Sequence, residues 1–177
     1  MNNVIGDVTM VDEKQPGSCP IRRKDRRMND QDSLALLNKG EYGVLATTDD
    51  QGQPYPVPLS YILKDGRIFF HSARDGRKIN NIKANPQAAF VVVGPTEPVW
   101  DHGCSTYYES VMVFGRIREV TDDGEKYTAL YGLSEKYLPG DLDKADEYIK
   151  SMLSRTAVYA LEVEAMTGKG KRDKPVK

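Results

Sequence analysis

A chain of 177 residues, 39% apolar and 29% charged, is long enough to bury one substantial core and short for two. Its formal net charge of −1 argues against a nucleic-acid surface, because acidic residues elsewhere cancel the basic clusters at the two ends. No apolar run approaches the roughly 18 residues of a membrane-spanning helix, and the first twenty residues lack the pattern of a signal peptide, so a cytoplasmic protein is expected.

Residues 1–21 show no apolar periodicity and include Pro16-Gly17, which reads as a disordered leader. The folded domain is expected over 22–166, opening on a basic run in which Arg22, Arg23, Lys24, Arg26 and Arg27 surround Asp25. Asn29 or Asp30 can cap a helix carrying Leu34, Leu36 and Leu37, with Gly40 at its stop. A strand over 42–47 then meets the turn Asp49-Asp50-Gln51-Gly52. The next strand, 54–63, carries prolines at the alternate positions 54, 56 and 58. Such spacing removes N–H donors along one edge only and suits a strand with an edge unpaired or turned towards a ligand.

Lys64-Asp65-Gly66 predicts a hairpin turn back through a strand over 67–72, and a short helix over 76–84 stops at Asn85-Pro86. The apolar run 87–93 predicts a central strand, and 94–104, with Pro95 and Pro98, an irregular loop. A long strand over 107–120 is interrupted by Gly115, the mark of a bulge. Asp122 or Asp123 caps a helix that ends before Pro139-Gly140, Asp141 opens another to about 153, and 157–163 is the last strand. Residues 167–177 read as a basic, solvated C-terminal tail. Tight turns join the early strands and no strict strand–helix alternation follows. The expectation is a mainly β fold: a six-stranded antiparallel barrel with peripheral helices.

Catalytic signatures such as GxSxG, HExxH or GxxxxGK[ST] are missing. Cys19 and Cys104 are too few for a disulfide framework, and His71 and His102 have no further ligands at zinc spacing, so no metal site is expected. The strongest local signal is FHSARDGRK, residues 70–78. Arg74, Arg77 and Lys78, the Ser72 hydroxyl and the N–H groups of a helix start could neutralise a phosphate monoester, or the cations could simply solvate a short helix.

The run VPLSYILKDGRIFFHSARDGRKINNIKANP (57–86), with YYESVMVFGRIREV (107–120), resembles the pyridoxamine 5′-phosphate oxidase-like, FMN-binding split-barrel superfamily, and within it the nitroimidazole-resistance (Nim) branch. The similarity runs from the basic cluster at Arg22 to about Lys169. The resemblance implies a homodimer with FMN in the clefts between subunits. Val57, Pro58, Leu59, Ser60 and Tyr61 would lie along the isoalloxazine edge, His71 and Ser72 at the ribityl-phosphate end, and Arg77 and Lys78 on the phosphate. Glu109, Ser110 and Val111 would come from the second subunit. His71 occupies the position singled out in Nim-type proteins, whose association is with reduction of a nitro group, and it could donate a proton or only hydrogen-bond the ribityl chain.

The chain departs from true pyridoxamine phosphate oxidases in its C-terminal TGKGKRDKPVK, which lacks their Arg- and Trp-containing stretch, so vitamin B6 oxidation is not expected. The Trp100-His102-Cys104 loop matches no family motif. The resulting expectation is an FMN-dependent oxidoreductase reducing a small acceptor such as a 5-nitroimidazole, with FAD or a deazaflavin as alternative cofactors and His71 as the catalytic candidate. The rival is a non-catalytic flavin-, deazaflavin- or haem-binding protein for storage or sensing, with His71 or His102 as a haem ligand. Neither reading involves a membrane or nucleic acid.

Overall fold

The computed structural model describes residues 21–100 and 102–172. The expected leader up to residue 20, with Cys19, and the last five residues of the expected tail lie outside the described residues. A single 3-10 turn, Lys24–Arg26, precedes helix α1 (Asp30–Lys39). Asn29 caps α1, its side chain accepting the Asp32 N–H at 2.7 Å, as the sequence suggested. Strands β1 (Gly43–Thr48), β2 (Pro54–Leu59), β3 (Ile62–Lys64) and β4 (Arg67–Ser72) follow, then helix α2 (Arg77–Ala84). Two long strands, β5 (Gln87–Trp100) and β6 (Cys104–Glu119), lead to α3 (Asp123–Tyr137), α4 (Leu142–Met152) and β7 (Ala157–Lys171). Among the described residues no helix is long and apolar enough to cross a membrane.

All seven strands form one antiparallel sheet in the order β2-β1-β5-β6-β7-β4-β3. The expected strand over 54–63 is thus two strands, and they lie at opposite edges of the sheet. Only Ser60 and Tyr61 separate them. Three Cα–Cα steps of about 3.8 Å span at most about 11 Å, so the two edges must come together and the sheet is rolled into a barrel with an unpaired seam. That split raises the expected six strands to seven within the same barrel class.

Alternation along the strands fills the barrel. Leu45, Phe90, Val92, Val111, Val113, Ile68, Phe70, Leu161 and Met166 point inward and are buried. Tyr61 joins them at the seam, its ring meeting that of Phe90 edge-on at 4.8 Å. A second cluster, Ile62, Phe69, Val120, Ala129, Leu133, Val158 and Ala160, lies outside the barrel beneath α3.

Three further expectations are corrected. Residues 94–104 are not an irregular loop: β5 runs to Trp100 and pairs with β6 from Cys104, with a register shift between Val93 and Thr96 that absorbs Pro95. The bulge expected at Gly115 is there, but the extra residue is Glu164 on β7, because Phe114 faces Ala165 while Gly115 faces Val163. Gly115 permits the close approach, since a Cβ there would stand 1.9 Å from the Glu162 carbonyl oxygen. Finally, the first residues of the expected tail are ordered strand: 167–171 continue β7, and Lys169 also bridges to Arg27. Gly168 is needed there, because a Cβ would meet Ser33 Oγ at 1.9 Å where α1 begins.

Candidate functional site

At the end of β4 the chain turns into α2 through Gly76, whose φ of 114° lies where side chains are strained. No side chain caps α2, and its first turn contains no acidic residue. The positive end of the helix is therefore supplemented by two cations and offset by no carboxylate of its own. Arg77 is half exposed, with its guanidinium 5.0 Å from the Tyr55 ring centroid and 3.6 Å from the Asp49 carboxylate. That carboxylate already accepts the N–H groups of Gln51 and Gln53 in the preceding turn, at 3.1 and 2.8 Å. Lys78 stands 5.6 Å from the Phe70 ring, and desolvation pushes its pKa down. A partly desolvated cation held below its usual pKa gains from an incoming anion. Helix α2 is held in place by Ile79 and Ile82 in the core and by Asn81 and Asn85, whose amides donate to Thr47 and Thr48 hydroxyls at 3.1 and 3.2 Å. Arg74, the third cation of the motif, is tied elsewhere: its guanidinium donates to the carbonyls of Ser154 and Arg155.

His71 and Ser72 point to opposite faces of β4, opposite Val158 and Ala157 of β7. Ser72 shares the face of Phe70. His71, exposed at the rim, has its pKa lowered first by desolvation and then by the Lys78 ammonium. The neutral imidazole is thus the resting form near pH 7.

The proline pattern on β2 sets its edge chemistry. Pro54, Pro56 and Pro58 face Thr48, Ala46 and Val44 of β1 but cannot donate to them, so Tyr55, Val57 and Leu59 carry the ladder bonds. The outer edge of β2 then presents the carbonyls of the prolines and no N–H from them. Val57 and Leu59 pack on the barrel core, and Ser60 is exposed. Tyr61 is committed within the chain. Its hydroxyl donates to the Leu37 carbonyl, its N–H donates to Tyr137 Oη at 3.0 Å, and its carbonyl accepts from Tyr137 Oη at 3.0 Å and Lys136 Nζ at 3.1 Å. Lys136 also sits 3.9 Å from the Tyr61 ring centroid, and desolvation lowers its pKa to about 8. Nothing in the sequence around Tyr61 signals this clip, whose two halves lie 76 residues apart.

Glu109, Ser110 and Val111 lie on β6 opposite Gly170, Lys169 and Gly168, at the far end of β7 from Ala157, which faces Ser72 at the end of β4. More than ten residues at about 3.3 Å each set them over about 30 Å apart along the strand. A single chain does not bring them to the Arg77–Lys78 cluster. Val111 is buried inside the barrel, and the Ser110 hydroxyl donates to the Lys169 carbonyl at 3.3 Å. Glu109 is ion-paired with Arg172, which also reaches Asp32 at 2.7 Å. With Leu36, Tyr42 and Val93 these groups line a cleft of about 590 Å³ beside α1.

The outer face of β2, β1, β5 and β6 carries Pro56 and Pro58, Val44 and Ala46, Ala89, Val91 and Val93, and Met112 and Phe114 in adjacent register. Val93 and Met112 are exposed by 59% and 45%, and two shallow clefts of about 340 and 230 Å³ meet at Phe114. Large exposed apolar patches on soluble proteins often mark interaction surfaces.

Comparison with solved structures finds this architecture elsewhere. A candidate 5-nitroimidazole antibiotic resistance protein from Bacteroides thetaiotaomicron VPI-5482 shares 24% identity, with a TM-score of 0.69 over 80% of this chain and 84% of that one. The flavocytochrome Anf3 from Azotobacter vinelandii shares 18% identity, with a TM-score of 0.75 over 89% of this chain and 75% of that one. An FAD- and heme-binding protein from Mycobacterium smegmatis shares 19% identity, with a TM-score of 0.73 over 86% and 76%. At these identities the likeness is one of fold. No curated protein matches the chain. The family profile described as pyridoxamine 5′-phosphate oxidase matches residues 29–170, which takes in every element from the cap of α1 to the end of β7 except the final residue. The chain therefore belongs to the pyridoxamine 5′-phosphate oxidase family of split barrels.

Proposed function

We propose that the protein is a homodimeric FMN-binding oxidoreductase that reduces a small acceptor, of which a nitroaromatic such as a 5-nitroimidazole is the first to try. The observation that carries this reading is the start of α2, where an uncapped helix end, a half-exposed Arg77 and a desolvated Lys78 converge without a carboxylate in the first turn. These residues fit a phosphate monoester. Arg77 and Lys78 bind the phosphate, Ser72 adds a hydroxyl beside Lys78, and the proline edge of β2 with Ser60 lines the ring. The bound flavin supplies the electron transfer. The apolar face of β2, β1, β5 and β6 meets its copy across a two-fold axis, which sets Glu109 to Val111 of one protomer against the cofactor of the other.

The test is the absorbance spectrum of the purified protein followed by FMN titration. Replacing both Arg77 and Lys78 with Ala should weaken FMN binding by about tenfold to a hundredfold, discounting for the exposure of Arg77. Riboflavin, which lacks the phosphate, should bind the variant as it binds the parent. Equal loss for both ligands moves the phosphate elsewhere, and a protein that takes up no FMN ends the proposal.

The lowered pKa of His71 favours a second reading, in which the barrel holds its cofactor without turnover. A neutral imidazole hydrogen-bonds a ribityl hydroxyl well but is a poor reservoir for the proton that reduction consumes. NAD(P)H-dependent turnover with any acceptor decides against this reading; bound cofactor without turnover decides for it.

A further inference from the structure

Beyond the register shift after Val93, β5 and β6 leave the barrel. Glu97–Trp100 pair with Cys104–Tyr107 alone, while β1 reaches β5 only at Ala89–Val91 and β7 meets β6 no further out than Tyr108. Four residues at about 3.4 Å each make a two-stranded ribbon projecting roughly 14 Å. Lys171 runs along it, 5.6 Å from the Tyr107 ring and donating at 2.6 Å to Ser105 Oγ, one pair short of the tip. Its tip carries Trp100, 81% exposed and the one tryptophan of the chain. A lone two-stranded ribbon is marginal in water, and a large aromatic at its tip is the residue type that anchors interfaces.

We propose that this ribbon is an arm that docks on a second copy of the chain, with Trp100 as its anchor. The inference rests on the homodimer reading, and continuity argues for that occupant. The arm prolongs the same two strands, β5 and β6, whose Val93 and Met112 lie exposed on the apolar face, so two copies meeting on that face carry each arm alongside the neighbouring barrel.

Because Trp100 is the chain's only tryptophan, its fluorescence reports on the arm directly. In the full-length protein at dimer-forming concentration, emission should be blue-shifted and the acrylamide quenching constant about threefold or more below that of the urea-unfolded chain. Both should revert on dilution to monomer, as followed by sedimentation velocity. Trp100→Ser, at a solvent-exposed site, should weaken dimerisation by about tenfold or more with an unchanged circular dichroism spectrum. A dimer whose Trp100 stays fully quenchable, or whose dissociation constant ignores Trp100→Ser, overturns the arm and leaves the dimer standing. A monomer at every concentration removes the dimer reading and the arm with it. A blue shift seen only with anionic vesicles gives the tip to a membrane and overturns the proposal.

Discussion

The two halves of the barrel's outer surface are treated in opposite ways. Over β4, β7 and β3 the chain lays its 15-residue helix α3, which buries Phe69, Val158 and Ala160 against Ala129 and Leu133. Around that cluster, Arg118 meets Glu125 with both terminal nitrogens at 2.6 and 3.0 Å and Glu162 through Nε at 2.8 Å, while Arg67 joins Glu125 at 2.7 Å. Over β2, β1, β5 and β6 lie valine, alanine, proline and methionine with no comparable charge network, and Val93 and Met112 stay exposed. Among the described residues, the same sheet carries a helix on one side and leaves apolar side chains exposed on the other. An apolar face needs a cover, and among the described residues only one of these two faces receives a helix.

The contrast can be broken at several points. Leu133→Ala on the covered side should cost about 2–5 kcal/mol in urea unfolding, as for a buried leucine whose surroundings cannot fully collapse. A loss below about 1 kcal/mol would show that α3 is not a structural lid. Met112→Arg on the open side should leave the protomer's own stability within about 0.5 kcal/mol but weaken self-association by about a hundredfold, because the charge enters a symmetric seam twice. Sedimentation velocity that shows the dimer intact would relocate the seam.

The smallest effect concerns acid. The Arg118 guanidinium holds the Glu125 carboxyl below its usual pKa, with desolvation opposing. A depressed folded pKa means that the pair's stabilisation is complete above the unfolded carboxylate range and is lost as pH falls through the folded value. For so exposed a pair the contribution is about 1 kcal/mol. Glu125→Gln should therefore lower Tm near pH 7 and converge with the parent near pH 3. A gap that persists in acid would make the effect one of packing.

Local chemistry was legible in the sequence. Asn29 and Asp122 cap the helices they were assigned, and Lys64-Asp65-Gly66 forms its turn with positive φ at Asp65 and Gly66. The strand 67–72 was read to the residue. What stayed hidden depends on the closed shape. Nothing in PVPLSYIL marks Ser60 as the break, because the break exists only where the two sheet edges meet. Pro95 and Pro98 looked like loop residues, yet a register shift and an outer-edge position accommodate both. Residue 168 fell in the expected solvated tail, whereas it must be glycine because α1 presses on it. At the candidate site, the sequence put Arg77 and Lys78 at a helix start, which is where α2 begins. The diversion of Arg74 to the 154–155 carbonyls and the Lys136–Tyr137 clip on Tyr61 are long-range contacts with no local signature.

The prolines of β2 have one further consequence. A sheet edge recruits other strands through its N–H groups, and on this barrel one edge offers proline nitrogens at 54, 56 and 58 while the other is the three-residue β3. Strand addition, the route to open-ended fibres, is disfavoured at these two barrel edges. The face-to-face dimer proposed above would use neither edge, and a two-fold axis would halt its growth at two copies.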